Sequence, residues 1–125
     1  MQQPDIEIYV KRTPIDAILS WLETCADYMS DVTQQGRSHS LSLTLNGQTI
    51  PVTVVEDAAG KAWTSIWLNS PNTPWENDVD CARACHTALN CQIRCNGAFW
   101  QEESANMDEW WQIAENGEER LIEWA

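Results

Sequence analysis

Four of the five cysteines in this 125-residue chain fall within residues 79–95, written VDCARACHTALNCQIRC; the fifth is Cys25. Thiols at this density have three chemical uses: metal ligation, disulfide formation and core filling. A structural zinc site draws its ligands from short hooks, usually C-x₂₋₄-C, converging on one ion. Here the spacings are Cys81-x₃-Cys85 and Cys91-x₃-Cys95. The first pair sits one turn apart if its segment is a helix, and a metal can bridge such a pair. The second pair, on a strand, lies about 13 Å apart at about 3.3 Å per residue. Two thiolates each about 2.3 Å from one zinc cannot be so distant. Cys91, Ile93 and Cys95 alternate with Gln92 and Arg94, which is a strand pattern. No metal ligand and no cofactor-binding residue is therefore assigned. Core filling is the expected role, since a free cysteine behaves as a small, easily buried hydrophobe.

Catalytic arrangements fare no better. Cys85 and His86 are adjacent, but neighbouring helical side chains point about 100° apart. His39 falls in the polar stretch VTQQGRSHS, expected to be a loop. The acidic pairs Asp78/Asp80, Glu102/Glu103 and Glu118/Glu119 are expected to be solvated surface. There is no glycine-rich phosphate loop, GxSxG elbow or HExxH motif. No catalytic residue is assigned.

The elements that position these residues are legible from periodicity. Ile6 to Val10 reads as a first strand. Thr13, Pro14 and Asp16 suit a helix cap, first turn and dipole-facing acid. Ile15, Ile18, Leu19, Leu22, Cys25, Ala26 and Met29 then recur at helical spacing, with Asp16, Ser20, Glu23 and Asp27 opposite. Leu41, Leu43 and Leu45 alternate with polar residues up to Asn46-Gly47, a strong hairpin signal. A two-residue turn pairs Leu45 with Gln48, Leu43 with Ile50 and Leu41 with Val52, and sets Pro51 opposite Ser42. DAAGK is a further turn and AWTSIWLNS a third consecutive strand. Thr73, Pro74 and Glu76 repeat the helix-opening chemistry, so a second helix is expected to run to about Asn90. Its apolar stripe is Val79, Ala82, Cys85 and Leu89. CQIRC follows as a strand.

The resulting order is strand, helix, strands, helix, strand. It is the βαββαβ order of the ferredoxin-like superfold with one strand added. The fold class expected is α+β, with two helices on one face of a mostly antiparallel sheet. The chain is short enough for one domain, residues 1–125. Residues 1–100 form its core, and 101–125 form an acidic, tryptophan-rich extension packed on it. That extension reads either as a hairpin around Asn116-Gly117 or as a helix carrying Met107, Trp110, Trp111 and Ala114. Aromatic and β-branched residues flank the turn on both sides, which favours the hairpin.

Charge limits the function classes. The formal net charge is −12, a surface that repels phosphates, so neither nucleic acid nor anionic membrane is an expected partner. The first residues show neither a basic nor an apolar signal-peptide region, and no window is apolar enough for a membrane span. A cytosolic location is expected, with reduced thiols. From Glu102 onward eight acids face Arg120 alone, and Trp110, Trp111 and Trp124 lie among them. Tryptophan joins a large apolar area to a hydrogen-bond donor and is favoured at contact hot spots. Trp110, Trp111, Glu118, Glu119 and Trp124 are accordingly the candidate protein-contact residues. The expected function is a non-catalytic binding or regulatory module with a protein partner or a homodimer. Two alternatives differ in class: a small enzyme or ligand-binding protein using a helix–sheet crevice, and an acidic inhibitor, such as an immunity protein, of a basic partner.

Overall fold

The computed structural model describes residues 5–96 and 109–123. They form an α+β arrangement of nine strands and two helices. The order is β1 (Ile6–Lys11), α1 (Ile15–Thr24), β2 (Tyr28–Met29), β3 (Thr33–Gln35), β4 (Ser38–Leu45), β5 (Gln48–Val55), β6 (Trp63–Leu68), α2 (Asp78–Leu89), β7 (Ile93–Asn96), β8 (Glu109–Ile113) and β9 (Glu119–Glu123). One open sheet runs β2-β4-β5-β6-β1-β7-β8-β9, with β3 also paired to β4. Each pairing between these strands is antiparallel. Strands β6 and β7 flank β1 on either side, and α2 connects them.

Alternation along the strands gives the sheet two unlike faces. Ile6, Ile8 and Val10 of β1 are buried, and so are Ile66 and Leu68 of β6, Val52 and Val54 of β5, and Ile93 and Cys95 of β7. These join Ile18, Trp21 and Leu22 of α1 and Val79, Cys81, Ala82 and Cys85 of α2 in one hydrophobic cluster. Both helices therefore cover the same face. Glu7, Tyr9, Lys11, Trp63, Trp67, Arg94 and Trp110 lie on the other.

The register around Asn46-Gly47 pairs Leu45 with Gln48, Leu43 with Ile50, Leu41 with Val52 and Ser42 with Pro51, as the alternation predicts. Asn46 and Gly47 have φ of 53° and 78°, the left-handed pair that such a tight turn needs. The C-terminal segment is the hairpin, with Trp111 opposite Leu121 and Ile113 opposite Glu119. It is joined to β7 by a ladder that places Ile113 beside Ile93 and Trp111 beside Cys95.

Several local expectations are corrected. Helix α1 stops at Thr24 instead of continuing toward Met29. Tyr28 and Met29 pair with Thr44 and Leu43 of β4, and the Asp27 carboxylate accepts the Asn46 N–H at 3.0 Å. Sheet pairing thus outweighs helical spacing. Thr13 does not cap this helix: its hydroxyl donates to the Lys11 carbonyl at 3.1 Å, and Pro14 stands at the cap position. Helix α2 begins later than Thr73-Pro74 implies. Asn77 caps it by accepting the Asp80 N–H at 2.9 Å, while Thr73 donates to the Trp75 carbonyl at 3.0 Å. The intervening Trp75 stacks on Trp21 with ring centroids 5.7 Å apart. Finally, VTQQGRSHS is a hairpin and not a loop: Thr33, Gln34 and Gln35 pair with Ser40, His39 and Ser38. Gly36, at φ 64°, makes the turn possible.

Candidate functional site

Three regions hold chemistry: the cysteine cluster with its crevice, the buried start of α2, and the sheet face opposite the helices.

All five cysteines are free thiols, and four are buried. Cys81 and Cys85 descend from α2 onto Cys91 and Cys95, which flank and occupy β7; Cys25, at the end of α1, packs against the same cluster. The strand alternation of CQIRC holds, with Cys91, Ile93 and Cys95 on the buried side. Among the described residues no group of three or more His, Cys, Asp or Glu side chains converges as a metal site. Burial pushes the Cys81 and Cys95 thiols well up, so neither ionises near neutral pH. Cys85 and Cys91 differ from these because the largest influence on each is the other. Cys85 is raised, first by Cys91 and then by burial. Cys91 is lowered to about 7, first by Cys85 and against burial.

Cys91 also lines a cavity of about 260 Å³ between the end of β1, the start of α1 and the end of α2. Lys11, Arg12, Thr13, Asn90 and Glu115 share its wall. The chain turns from β1 into α1 through Arg12, whose backbone is left-handed at φ 50°. Its N–H donates to the Ala62 carbonyl at 2.7 Å, and the Lys11 N–H to the Gln92 carbonyl at 3.0 Å. Lys11 and Arg12 thus bring two basic residues to the cavity wall. Asn90, left-handed at φ 54°, ends α2 and releases the chain to Cys91. His86 is no partner for Cys85: its Nε2 lies 2.9 Å from the Glu115 carbonyl oxygen.

Asp78 contradicts the expectation of a solvated acid. It is only 7% exposed, and its Oδ1 has no hydrogen-bond partner among the described residues. Desolvation raises it to about 7, opposed by the Glu7 N–H and reinforced by the Asp5 and Glu7 carboxylates. Asp80, two residues on, is half-exposed as expected and pairs loosely with Arg83 at 3.7 Å. His39, taken from sequence as a loop residue, is likewise buried on β4 and lies 2.8 Å from Glu56 Oε2. The alternation S-H-S-L-S-L was the signal for this, hidden by the polar surroundings.

On the face opposite the two helices the cross-strand register lines up Arg120, Gln112, Arg94, Tyr9 and Ser65 in one row. Arg94 stacks on the Trp63 ring at 4.6 Å and Lys11 approaches the same ring at 5.8 Å. Arg94 Nε also donates to Gln112 Oε1 at 2.9 Å, and Gln92 donates to the same oxygen at 2.6 Å. Tyr9 meets Trp110 edge-on at 5.5 Å. Trp67 donates to Asp5 at 2.8 Å. Three of the chain's seven basic residues, Lys11, Arg94 and Arg120, thus stand on the face that also carries Tyr9, Trp63, Trp67 and Trp110.

The five residues singled out from sequence do not gather in one place. Trp110 lies on the face opposite the two helices and Trp111 on the helix face. Glu119 joins Trp111 there: its Oε1 accepts the Trp111 indole N–H at 3.0 Å, and its carboxylate takes Arg83 in a fork at 2.9–3.1 Å. The Arg83 guanidinium accordingly holds the Glu119 carboxyl below its usual range. Glu118 is exposed in the turn between the strands. Trp124 lies outside the described residues, as do Glu102, Glu103, Met107 and Asp108. The cationic row on the other face was missed because its members are far apart in sequence and meet only through strand order.

No helix among the described residues is long and apolar enough to cross a membrane. Comparisons with protein families, with curated proteins and with solved structures find no match for this chain.

Proposed function

We propose that the protein is a non-catalytic binding module whose contact surface is the sheet face opposite its helices, built on a ferredoxin-like βαββαβ core with an added strand. The observation that carries this reading is the pair Arg94 and Arg120 in one cross-strand row, with Lys11 beside it and Tyr9, Trp67 and Trp110 around them. Aromatic rings and guanidinium groups are the side chains enriched at contact hot spots. In a chain of net charge −12, three of the seven basic residues stand on this face. It suits a protein partner, or a second copy of this chain, that presents carboxylates or aromatic rings. Trp110 brings the C-terminal hairpin into this surface. Free thiols fit a reducing, cytosolic setting, and the overall negative charge disfavours nucleic acid as partner.

The Cys91 crevice favours a second reading, a small ligand held between helix and sheet. Its volume of about 260 Å³ is just below the usual range for small-molecule sites.

Charge reversal separates the two readings. Arg120 is exposed on β9, so Arg120→Glu should change stability by about 0.5 kcal/mol or less. It should weaken partner binding about five- to tenfold, the loss of one favourable contact. Glu23→Lys, on the exposed side of α1, should leave binding unchanged. Binding measured by isothermal titration that responds to Glu23→Lys and ignores Arg120→Glu would assign the surface to the helices.

A further inference from the structure

We infer that β9 is a docking edge: its outer backbone takes an extended, net basic segment of a partner protein as one more strand of the sheet. The edge is separate from the proposed contact face. It offers backbone groups at the rim of the sheet, whereas the face offers side chains.

Among the described residues the sheet has two rims, and they differ. One is made of β2 and β3, strands of two and three residues that both lie on β4. Edges that short offer little to a new strand. The other rim is β9, five residues long. It pairs with β8 residue for residue, from Glu119 opposite Ile113 to Glu123 opposite Glu109, with no bulge and no proline. The turn decides which of its backbone groups face out. The Ala114 N–H donates to the Glu118 carbonyl at 2.8 Å, so Glu118 points its carbonyl at β8. Successive residues of a strand present their backbone groups to alternate sides. Arg120 and Ile122 therefore face β8 as well, and Glu119, Leu121 and Glu123 turn their N–H and C=O groups outward. Among the described residues no strand pairs with that side.

The side chains select the occupant. The hairpin carries Glu109, Glu115, Glu118, Glu119 and Glu123 against Arg120. A second copy of the chain fits badly. Antiparallel pairing that uses every outward group of both copies centres on Leu121 opposite Leu121. It sets Glu119 of each copy opposite Glu123 of the other, and like charges directly opposite are destabilising. Charge on this edge thus turns away copies of the chain and admits a strand of opposite sign. The Glu119 carboxylate is already held by Arg83 in a fork. A basic residue is therefore called for above all opposite Glu123, where Glu109 stands across the ladder. Ile122, half-buried on the other face opposite Trp110, calls for an apolar residue next in line. The main-chain ladder supplies affinity and the alternating side chains supply specificity, as in strand addition generally.

The probe is a synthetic peptide alternating lysine and valine, added to the full chain, with a peptide alternating glutamate and valine as its charge-reversed counterpart. Amide hydrogen exchange is followed residue by residue by NMR. The lysine peptide should slow exchange at Glu119, Leu121 and Glu123 by at least about tenfold, since a hydrogen-bonded amide exchanges only on opening. Arg120 and Ile122, which face β8 already, should change little. The glutamate peptide should protect none of them, and binding of the lysine peptide should weaken as salt rises. Leu121→Pro deletes the outward N–H at the centre of the edge and spares the ladder to β8. It should weaken binding by at least about tenfold. If that variant does not fold, a lysine peptide N-methylated at its lysines, whose N–H groups face β9 in this register, takes its place and should lose binding to the unmodified chain to the same degree. Undiminished binding to Leu121→Pro or by the methylated peptide overturns the proposal. So does protection confined to β2 and β3, equal binding of the glutamate peptide, or a dimer of the chain paired through β9.

Discussion

Leu22→Ala should lower unfolding free energy by about 2–5 kcal/mol, the usual range for truncating a large core side chain. Leu22 is fully buried at the centre of the α1 stripe, beside Ile18, and belongs to the hydrophobic cluster that joins helices and sheet. Its removal leaves a cavity that close-packed neighbours fill only in part. The adjacent Glu23 is exposed on the opposite side of the same helix. Glu23→Ala should change stability by about 0.5 kcal/mol or less. Urea melts of both variants check the assignment of faces; equal losses would mean that α1 packs in a different rotation.

Asp78→Asn should change the pH dependence of stability by a comparable amount, in the opposite sense. The Asp78 carboxyl is raised to about 7 in the folded protein, first by desolvation, against about 3.9 in an unfolded chain. Between these values the folded state holds a proton that the unfolded state has released. Stability contributed by this group is therefore fully present below about pH 4 and falls as pH rises to about 7, where it levels off. The difference between the folded and unfolded values corresponds to at most about 4 kcal/mol. An amide at this position cannot ionise, so Asp78→Asn should be more stable than the parent at pH 8 and less distinguishable from it at pH 4. Asp5 and Glu7 are present in both proteins, so the difference between the two curves reports Asp78. Parallel curves of stability against pH would show that Asp78 reaches solvent.

These two residues also mark what was readable in the sequence. Leu22 announces itself: apolar groups at helical spacing have one way to be buried, and α1 obeys it. The Asn46-Gly47 hairpin is equally plain, because strand alternation and a left-handed turn agree on a single register. Asp78 is invisible for the opposite reason. A carboxylate at a helix start is ordinarily solvated, and only the approach of β1, with Asp5 and Glu7, closes water off from it. The two helix starts show the same limit. Thr13 and Thr73 have the right chemistry for caps, but Pro14 and Asn77 occupy the cap positions, and Trp75, stacked on Trp21, lies between Thr73 and the start of α2. The candidate contact face is hardest of all. Arg120, Arg94 and Tyr9 become neighbours through the order β9-β8-β7-β1, which no local pattern encodes. The crevice at Cys91 has the same origin, joining the end of β1 to the end of α2.

The central claim is that the sheet face opposite the two helices is where a partner binds. A photo-reactive amino acid placed at Thr53, half-exposed on that face, and another at Ser20, exposed on the outer side of α1, test it in living cells of the native host. Irradiation should give a discrete, reproducible protein adduct from position 53 and none from position 20, and Arg120→Glu should diminish that adduct. An adduct formed from position 20 and not from position 53 would contradict the claim and move the contact surface to the helices.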